Sequence, residues 1–302
     1  MIYDVLVVGA GPAGLTAALY ALRANKSVLV LEKSTPGGQM TFSPKVENFP
    51  GFLQVSGNEL ADKLVEQVLE QGADMDFGCV KSLSRHDGIV TADTGSHTFD
   101  ARTVILATGV KHRMLGLDRE TEFVGNGISF CAVCDGAFYR DKTVAVIGGG
   151  NSALQEALLL SENCKKVVMV QNLPTFTGEE KLRQAVAAKD NIDAVFGTVV
   201  TGILGDDILT GISLKNEAGE TSELLVDGVF IAIGLIPENE PFKEFAPLND
   251  YGYFDSDERC LTPAENVFVA GDCRSKSVRQ ITTAAADGAV AALAACRYLD
   301  NL

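Results

Sequence analysis

The chain has 302 residues, 46% of them hydrophobic, and a formal net charge of −15. That length suggests about two domains of roughly 100–200 residues each. The acidic balance excludes nucleic acid and an anionic membrane surface as partners, because both are bound by basic patches. No apolar run reaches the ~18–20 residues of a membrane span, and the opening Met1-Ile2-Tyr3-Asp4 lacks the basic stretch of a signal peptide. Seven scattered cysteines are not a secreted disulfide framework. The expectation is a cytoplasmic protein in a reducing compartment.

In chain order, Val5 to Val8 reads as a buried strand, followed by Gly9-Ala10-Gly11-Pro12-Ala13-Gly14. Leu15, Ala18, Leu19 and Leu22 then recur at helical period. A second strand, Val28 to Leu31, ends on Glu32, 18 positions past Gly14. A lone G-x-G-x-x-G is a weak signal. Inside strand, helix, strand and acid it marks a dinucleotide site, where the backbone approaches a pyrophosphate at a helix start and the acid accepts hydrogen bonds from a ribose. The Gly- and Pro-rich Pro36–Phe52 stretch reads as a ligand-contacting loop. A strand-and-turn region (74–103) leads to a buried strand closing on Ala107-Thr108-Gly109.

Cys131-Ala132-Val133-Cys134-Asp135-Gly136 comes next. Two residues between the sulfurs let a disulfide form and reopen, a nearby helix start lowers a cysteine pKa, and an adjacent acid handles protons. Zinc would need a second ligand pair, and the sequence has no other C-x-x-C and no H-x₃₋₅-H. The segment therefore reads as a reactive dithiol with no metal. Cys79, Cys164, Cys260, Cys273 and Cys296 read as buried spectator thiols.

A shift of 139 positions repeats the first unit. Val144 to Ile147 is a strand, Gly9, Gly11 and Gly14 map to Gly148, Gly150 and Ala153, and a helical stripe and the strand Val167–Val170 follow. Glu32 maps to Gln171. A second strand-and-turn region (192–228) closes on Gly234, and Glu32 to Gly109 spans 77 positions against 63 from Gln171 to Gly234. The extra 14 belong with the Pro36–Phe52 stretch. Beyond Pro237, Val267 to Val269 is a strand running into Gly271-Asp272, and an alanine-rich helix spans about Ile281 to Tyr298. The expected fold is α/β: two Rossmann-like three-layer β/β/α dinucleotide-binding domains, the second (114–236) inserted into the first (1–113 and 237–302).

Gly9–Gly14, Gly37-Gly38-Gln39, Ala107–Gly109, Cys131–Gly136, Gly148–Ala153, Gly271-Asp272 and Arg279-Gln280-Ile281, in this order and spacing, resemble the low-molecular-weight thioredoxin reductases over essentially the whole chain. The resemblance implies FAD in the first domain, a homodimer, and electrons passing through the flavin to a Cys131–Cys134 disulfide and on to thioredoxin or a thioredoxin-like protein. It implies that Cys134 faces the flavin, Cys131 attacks the partner's disulfide and Asp135 is the acid–base group. It places FAD on Gly9, Gly11, Pro12, Ala13, Gly14, Glu32, Lys33, Gly38, Gln39, Asn48, Val80, Thr108, Gly109, Gly271, Asp272, Arg279, Gln280 and Ile281. It places a second nucleotide on Gly148, Gly150, Asn151, Ser152, Ala153 and Gln171. It also implies a rotation of the inserted domain, with Gly109, Gly116 and Gly234 compatible with hinges.

One stretch departs from the family. NADPH-using members carry a histidine and arginines after the second strand of the second unit, whereas here the stretch is Gln171-Asn172-Leu173-Pro174-Thr175-Phe176-Thr177. Each lost charge-assisted contact to a 2′-phosphate costs about 1.5–3 kcal/mol. Weak use of NADPH is expected; Gln171 would favour NADH, and the alternative donor is a protein such as ferredoxin. Rival readings on the same scaffold are a dithiol oxidase passing electrons to oxygen and a flavin-based redox sensor.

Overall fold

The computed structural model describes residues 1–43 and 45–302; position 44, within the Pro36–Phe52 stretch, lies outside the described residues. Unbroken runs of Val, Ile and Leu become parallel strands buried on both faces. β1 (Ile2–Val8) leads through the glycine turn into α1 (Pro12–Arg23). Pro12 occupies the first helical turn, where a missing N–H costs nothing. β2 (Val28–Glu32) is followed by a 3₁₀ turn (Gly38–Phe42) and α2 (Gly57–Glu70), capped by Ser56, whose hydroxyl accepts from the Glu59 N–H at 3.1 Å. Then come β3 (Asp74–Phe77), β4 (Ser82–His86), β5 (Ile89–Asp93), β6 (Thr98–Leu106) and β7 (Val110–His112).

After the crossover the chain forms α3 (Glu120–Phe123), β8 (Ile128–Ser129), α4 (Ala132–Asp135), a 3₁₀ turn (Gly136–Tyr139), β9 (Thr143–Ile147), α5 (Asn151–Ser161) and β10 (Lys166–Val170). It continues through α6 (Glu180–Ala187), β11 (Ile192–Val195), β12 (Thr198–Gly205), β13 (Leu209–Asn216), β14 (Thr221–Leu225), β15 (Gly228–Ile231) and β16 (Leu235–Pro237). β17 (Val267–Val269) and α7 (Ile281–Asp300) close the chain.

These elements form two compact units, Met1–Lys111 with Ile236–Leu302, and His112–Leu235. In the first, a seven-stranded sheet has the order β3-β2-β1-β6-β5-β4, with β17 on β6. Its side chains alternate between two cores. Val5, Val7, Val28, Val30 and Ile105 face α1 and α7; Leu6, Val8, Leu29, Leu31, Val104 and Leu106 face away. Each such side chain contributes about 1.5–3 kcal/mol on burial. α7 lies close against α1 because its contact face is alanine and glycine: a Cβ on Gly288 would stand 2.1 Å from the Ala13 carbonyl oxygen.

In the second unit, five parallel strands run β11-β10-β9-β15-β8, and β12-β13-β14 form an antiparallel ribbon. One face packs Val144, Val146, Val167 and Met169 against Leu154, Ala157 and Leu160 of α5. The other packs Ala145, Ile147, Val170 and Val229 against Ile212 and Leu214 of the ribbon. The length difference between the halves arises before the third strand. Glu32 to Asp74 spans 42 positions, Gln171 to Ile192 only 21, and the ribbon region of the second half recovers part of it. Cys164, Cys260, Cys273 and Cys296 are buried, but Cys79 is exposed, contrary to expectation. It follows β3, an end strand of its sheet, where among the described residues no further strand covers the chain.

Candidate active site

In the first unit the glycine turn is closed on itself and open above. A Cβ on Gly9 (φ +107°) would lie 2.4 Å from the Ala107 carbonyl oxygen, and one on Gly14 would lie 1.8 Å from the Gly9 oxygen. A Cβ on Gly11 meets nothing within 4 Å. Gly11 caps α1 without a side-chain hydrogen bond, so the helix-start amides are open to an anion. Glu32, 6% exposed, accepts from the Ala10 N–H at 2.8 Å and the Ser34 N–H at 2.9 Å. The Gly37-Gly38 turn lies against this loop: Gly37 N–H donates to the Ala10 carbonyl at 2.7 Å, and a Cβ on Gly38 would be 3.4 Å from Gly11 Cα.

The end of the chain completes this site. Gly271 packs over Ala13, and its N–H donates to Asp287 Oδ2 at 3.0 Å. Burial pushes the Asp272 carboxyl up to about 6, against the pull of Lys276 and Arg279, and its Oδ1 is buried without a hydrogen-bond partner. Arg279 donates to the Asp272 carbonyl at 3.2 Å and lies over the Tyr253 ring at 4.2 Å. Gln280 caps α7 in a reciprocal box with Thr283 and accepts from Asn48 at 3.2 Å, and Ile281 starts the helix beside the Met40 cluster. Thr108 donates to Asn239 Oδ1 at 2.8 Å, and Gly109 follows in the left-handed region.

Other residues of the expected flavin set also make contacts within the unit. Val80 is a core side chain, packed with Leu29 and Leu31. The Lys33 ammonium pairs with Glu238, which also takes Lys111 at 2.8 Å. Gln39 is exposed.

In the second unit the first glycine of the repeat is as constrained as in the first, with a Cβ on Gly148 standing 2.5 Å from the Ala232 carbonyl oxygen. Gly150 caps α5 without a side-chain bond, the space above it is open to 3.9 Å, and Asn151 and Ser152 at the helix start are exposed. Ala153 is fully buried. The Gln171 side chain, 5% exposed, folds across Gly149 and donates to the Thr175 carbonyl at 3.3 Å. Thr177 and Gly178 N–H groups donate to the Gly149 carbonyl at 2.8 and 3.0 Å, and Phe176 meets Phe196 edge-on at 4.8 Å.

The two cysteines of the same unit are joined in a disulfide, with Cα atoms 5.3 Å apart. Cys131 is the N-cap of α4, and its sulfur accepts from the Cys134 N–H at 3.2 Å. Asp135 closes the turn. Burial pushes its carboxyl above the ordinary range and a hydrogen bond from Ser129 pulls it back. Val133, between the sulfurs, is 63% exposed, so the pair lies at the surface of its unit. His112 stacks on Phe130 at 4.4 Å, and burial lowers it to about 4. Reasoning from sequence missed Ser129, the bond from Thr108 to Asn239, and a buried cluster in which Arg274 and Lys276 pair with Asp287 at 2.8 and 2.9 Å. Only the Ser129 position, two residues before the dithiol, offered a signal.

Residues 3–288 match the family described as pyridine nucleotide-disulphide oxidoreductase. A thioredoxin reductase of Listeria monocytogenes is 40% identical over 303 residues, covering 100% of this chain and 95% of that protein. One of Bacillus subtilis is 39% identical, covering 100% and 96%. The crystal structure of thioredoxin reductase from Streptococcus pyogenes superposes with a TM-score of 0.95 at 38% identity, covering 100% of this chain and 99% of that one.

Proposed function

Because the chain belongs to the pyridine nucleotide-disulphide oxidoreductase family and, within it, to the thioredoxin reductases, we propose that it uses FAD to move two electrons from a reduced nicotinamide nucleotide to the Cys131–Cys134 disulfide and on to a thioredoxin. The observation that carries this reading is the disulfide itself, set at the start of a helix and followed directly by a half-buried carboxylate whose Oδ1 is buried and without a hydrogen-bond partner. The ferredoxin-linked and oxidase alternatives are not favoured by relatives of this likeness over the full length.

The first unit fits FAD. The open space over Gly11, the uncapped start of α1 at Pro12, Ala13 and Gly14, and the acceptor Glu32 suit a dinucleotide pyrophosphate and ribose. The orphaned Asp272 Oδ1 suits a hydroxyl donor. Thr108, Arg279, Gln280 and Ile281 would hold the rest. We assign 1–113 and 237–302 to FAD and 114–236 to the nicotinamide nucleotide. Cys131 is the thiol assigned to the partner's disulfide, Cys134 the sulfur assigned to the flavin side, and Asp135 the proton carrier between them.

The second site fits a nucleotide without a 2′-phosphate. A 2′-phosphate is a nearly dianionic group that needs cations. No Lys, Arg or His lies between Gln171 and Gly178, and the two residues that follow are Glu179 and Glu180. NADH is therefore the proposed donor and NADPH a weak one. The protein is proposed to act in the cytoplasm as a homodimer; among the described residues no helix is long and apolar enough to cross a membrane.

Anaerobic stopped-flow at the flavin band, with NADH, NADPH and reduced ferredoxin in turn, tests the donor. Insulin-coupled turnover with thioredoxin tests the acceptor. Cys131→Ser is expected to leave flavin reduction intact and abolish thioredoxin reduction. A colourless protein that refuses added flavin, or rapid bleaching by micromolar NADPH, would overturn the corresponding part.

A further inference from the structure

Ser129 ends β8 two residues before the dithiol and pairs in register with Phe230 of β15, so it stands on the sheet rather than on a loop. It is 5% exposed. Its hydroxyl makes two bonds. It donates to Asp135 Oδ2 at 2.6 Å and accepts from the Cys131 N–H at 3.1 Å. A serine has one proton to give, and here it goes to Oδ2, at a distance within the ordinary O–H···O range. The amide on the serine oxygen reinforces that donation. The other carboxylate oxygen, Oδ1, is buried and has no hydrogen-bond partner.

We propose that Ser129 is a positioning residue for the disulfide chemistry: it ties Asp135 by Oδ2 and Cys131 by its amide, leaving Oδ1 as the atom that exchanges a proton with the sulfur pair. The inference rests on the proposed reductase reading. When two electrons break the S–S bond, two thiolates form. A proton on Oδ1 passes to one sulfur, leaving a carboxylate, a thiol and a thiolate. Solvent returns the proton, and Ser129 gains and loses none.

The same unit carries other titratable groups. Tyr139, on the turn that follows, is pushed up to about 12, mainly by burial and also by the Asp135 charge. Glu156, on the helix packed against α4, is pushed up to about 8 by burial. His112, stacked on Phe130, stays neutral above about 4. Lys142 lies over the Tyr139 ring at 5.6 Å. Ser129 differs from all of these in being bonded to the carboxylate.

The test uses the whole protein, reduced by excess dithiothreitol and freed of it. Its burst with an aromatic disulfide is followed by stopped flow across the pH range in which the protein stays folded, and the acid–base limb is read from that profile. A donor removed from a carboxylate raises that carboxylate's pKa. Ser129→Ala should therefore move the Asp135-dependent limb to higher pH by about one unit, and Ser129→Thr should restore it. In an Asp135→Asn background, Ser129→Ala should move nothing further. If Ser129→Ala does not fold, Ser129→Cys, a weaker donor, should shift the limb in the same direction. An unmoved limb in a folded variant, or an equal shift in the Asp135→Asn background, would overturn the proposal. The burst needs neither nucleotide nor thioredoxin, so failure of the whole protein to turn over thioredoxin would count against the reductase reading alone.

Discussion

The two glycine turns share one chain trace and differ at the residue that answers Ala10. In the first unit that position is the buried Ala10, and Glu32 accepts from the Ala10 and Ser34 amides. In the second, that position is Gly149, and the Gln171 side chain occupies the space a Cβ would take, at 2.5–3.1 Å. The acid thus accepts from backbone amides beside its turn, while the amide side chain of Gln171 is folded over Gly149. The third position differs as well. Gly14 has no room for a methyl group, whereas Ala153 already carries one in a fully buried site. The same backbone plan gives a tight turn backed by an acid and a looser, uncharged one.

The contrast breaks most sharply at the third position. Gly14→Ala forces a methyl group against the Gly9 oxygen at 1.8 Å and should yield protein without bound flavin, read from the absorbance of the purified protein. Ala153→Gly should leave flavin in place and cost only about 0.5–1 kcal/mol in thermal unfolding.

Next in size is Glu32→Gln. It removes one of the two carboxylate acceptors that the Ala10 and Ser34 amides use. A hydrogen bond to a charged group contributes about 1.5–3 kcal/mol, so flavin affinity in a titration of stripped protein should fall roughly 10- to 100-fold.

Asp272 has no partner in the repeat, and it sharpens the comparison through pH. Its pKa in the fold is about 6 against an ordinary 3.8, so the fold favours the protonated form. Stability from this group is complete below about pH 4, falls as pH rises to about 6, and is level above. Asp272→Asn should raise the melting temperature of flavin-free protein by a few degrees at pH 7 and not at pH 4, while weakening flavin binding. Equal shifts at both pH values would refute that account.

The smallest effect belongs to the second turn. Gly149→Ala displaces the tip of a flexible side chain rather than backbone. It should change the KM for NADH by only a few-fold, with flavin content unchanged.

Much of this molecule was legible in its residues alone. Short apolar runs that end on glycine and are bounded by turn signals read as buried strands. The 139-residue repeat brought the second fold into view without any structure, and the dithiol declared itself by spacing and by the acid beside it. Those are local properties: a backbone approach, a period, a pair of sulfurs two residues apart. The chain's own order could not say that Gln171 turns inward over Gly149, that Val80 serves the core, or that Cys79 stands in solvent. Nor could it say that Asn239 receives Thr108 from across 131 positions. Each depends on which groups meet after the strands have paired. The two bonds of Ser129 belong to the same class, because a hydroxyl's partners are set by where an edge strand delivers it, and that register is decided by β15, a hundred residues downstream in the chain.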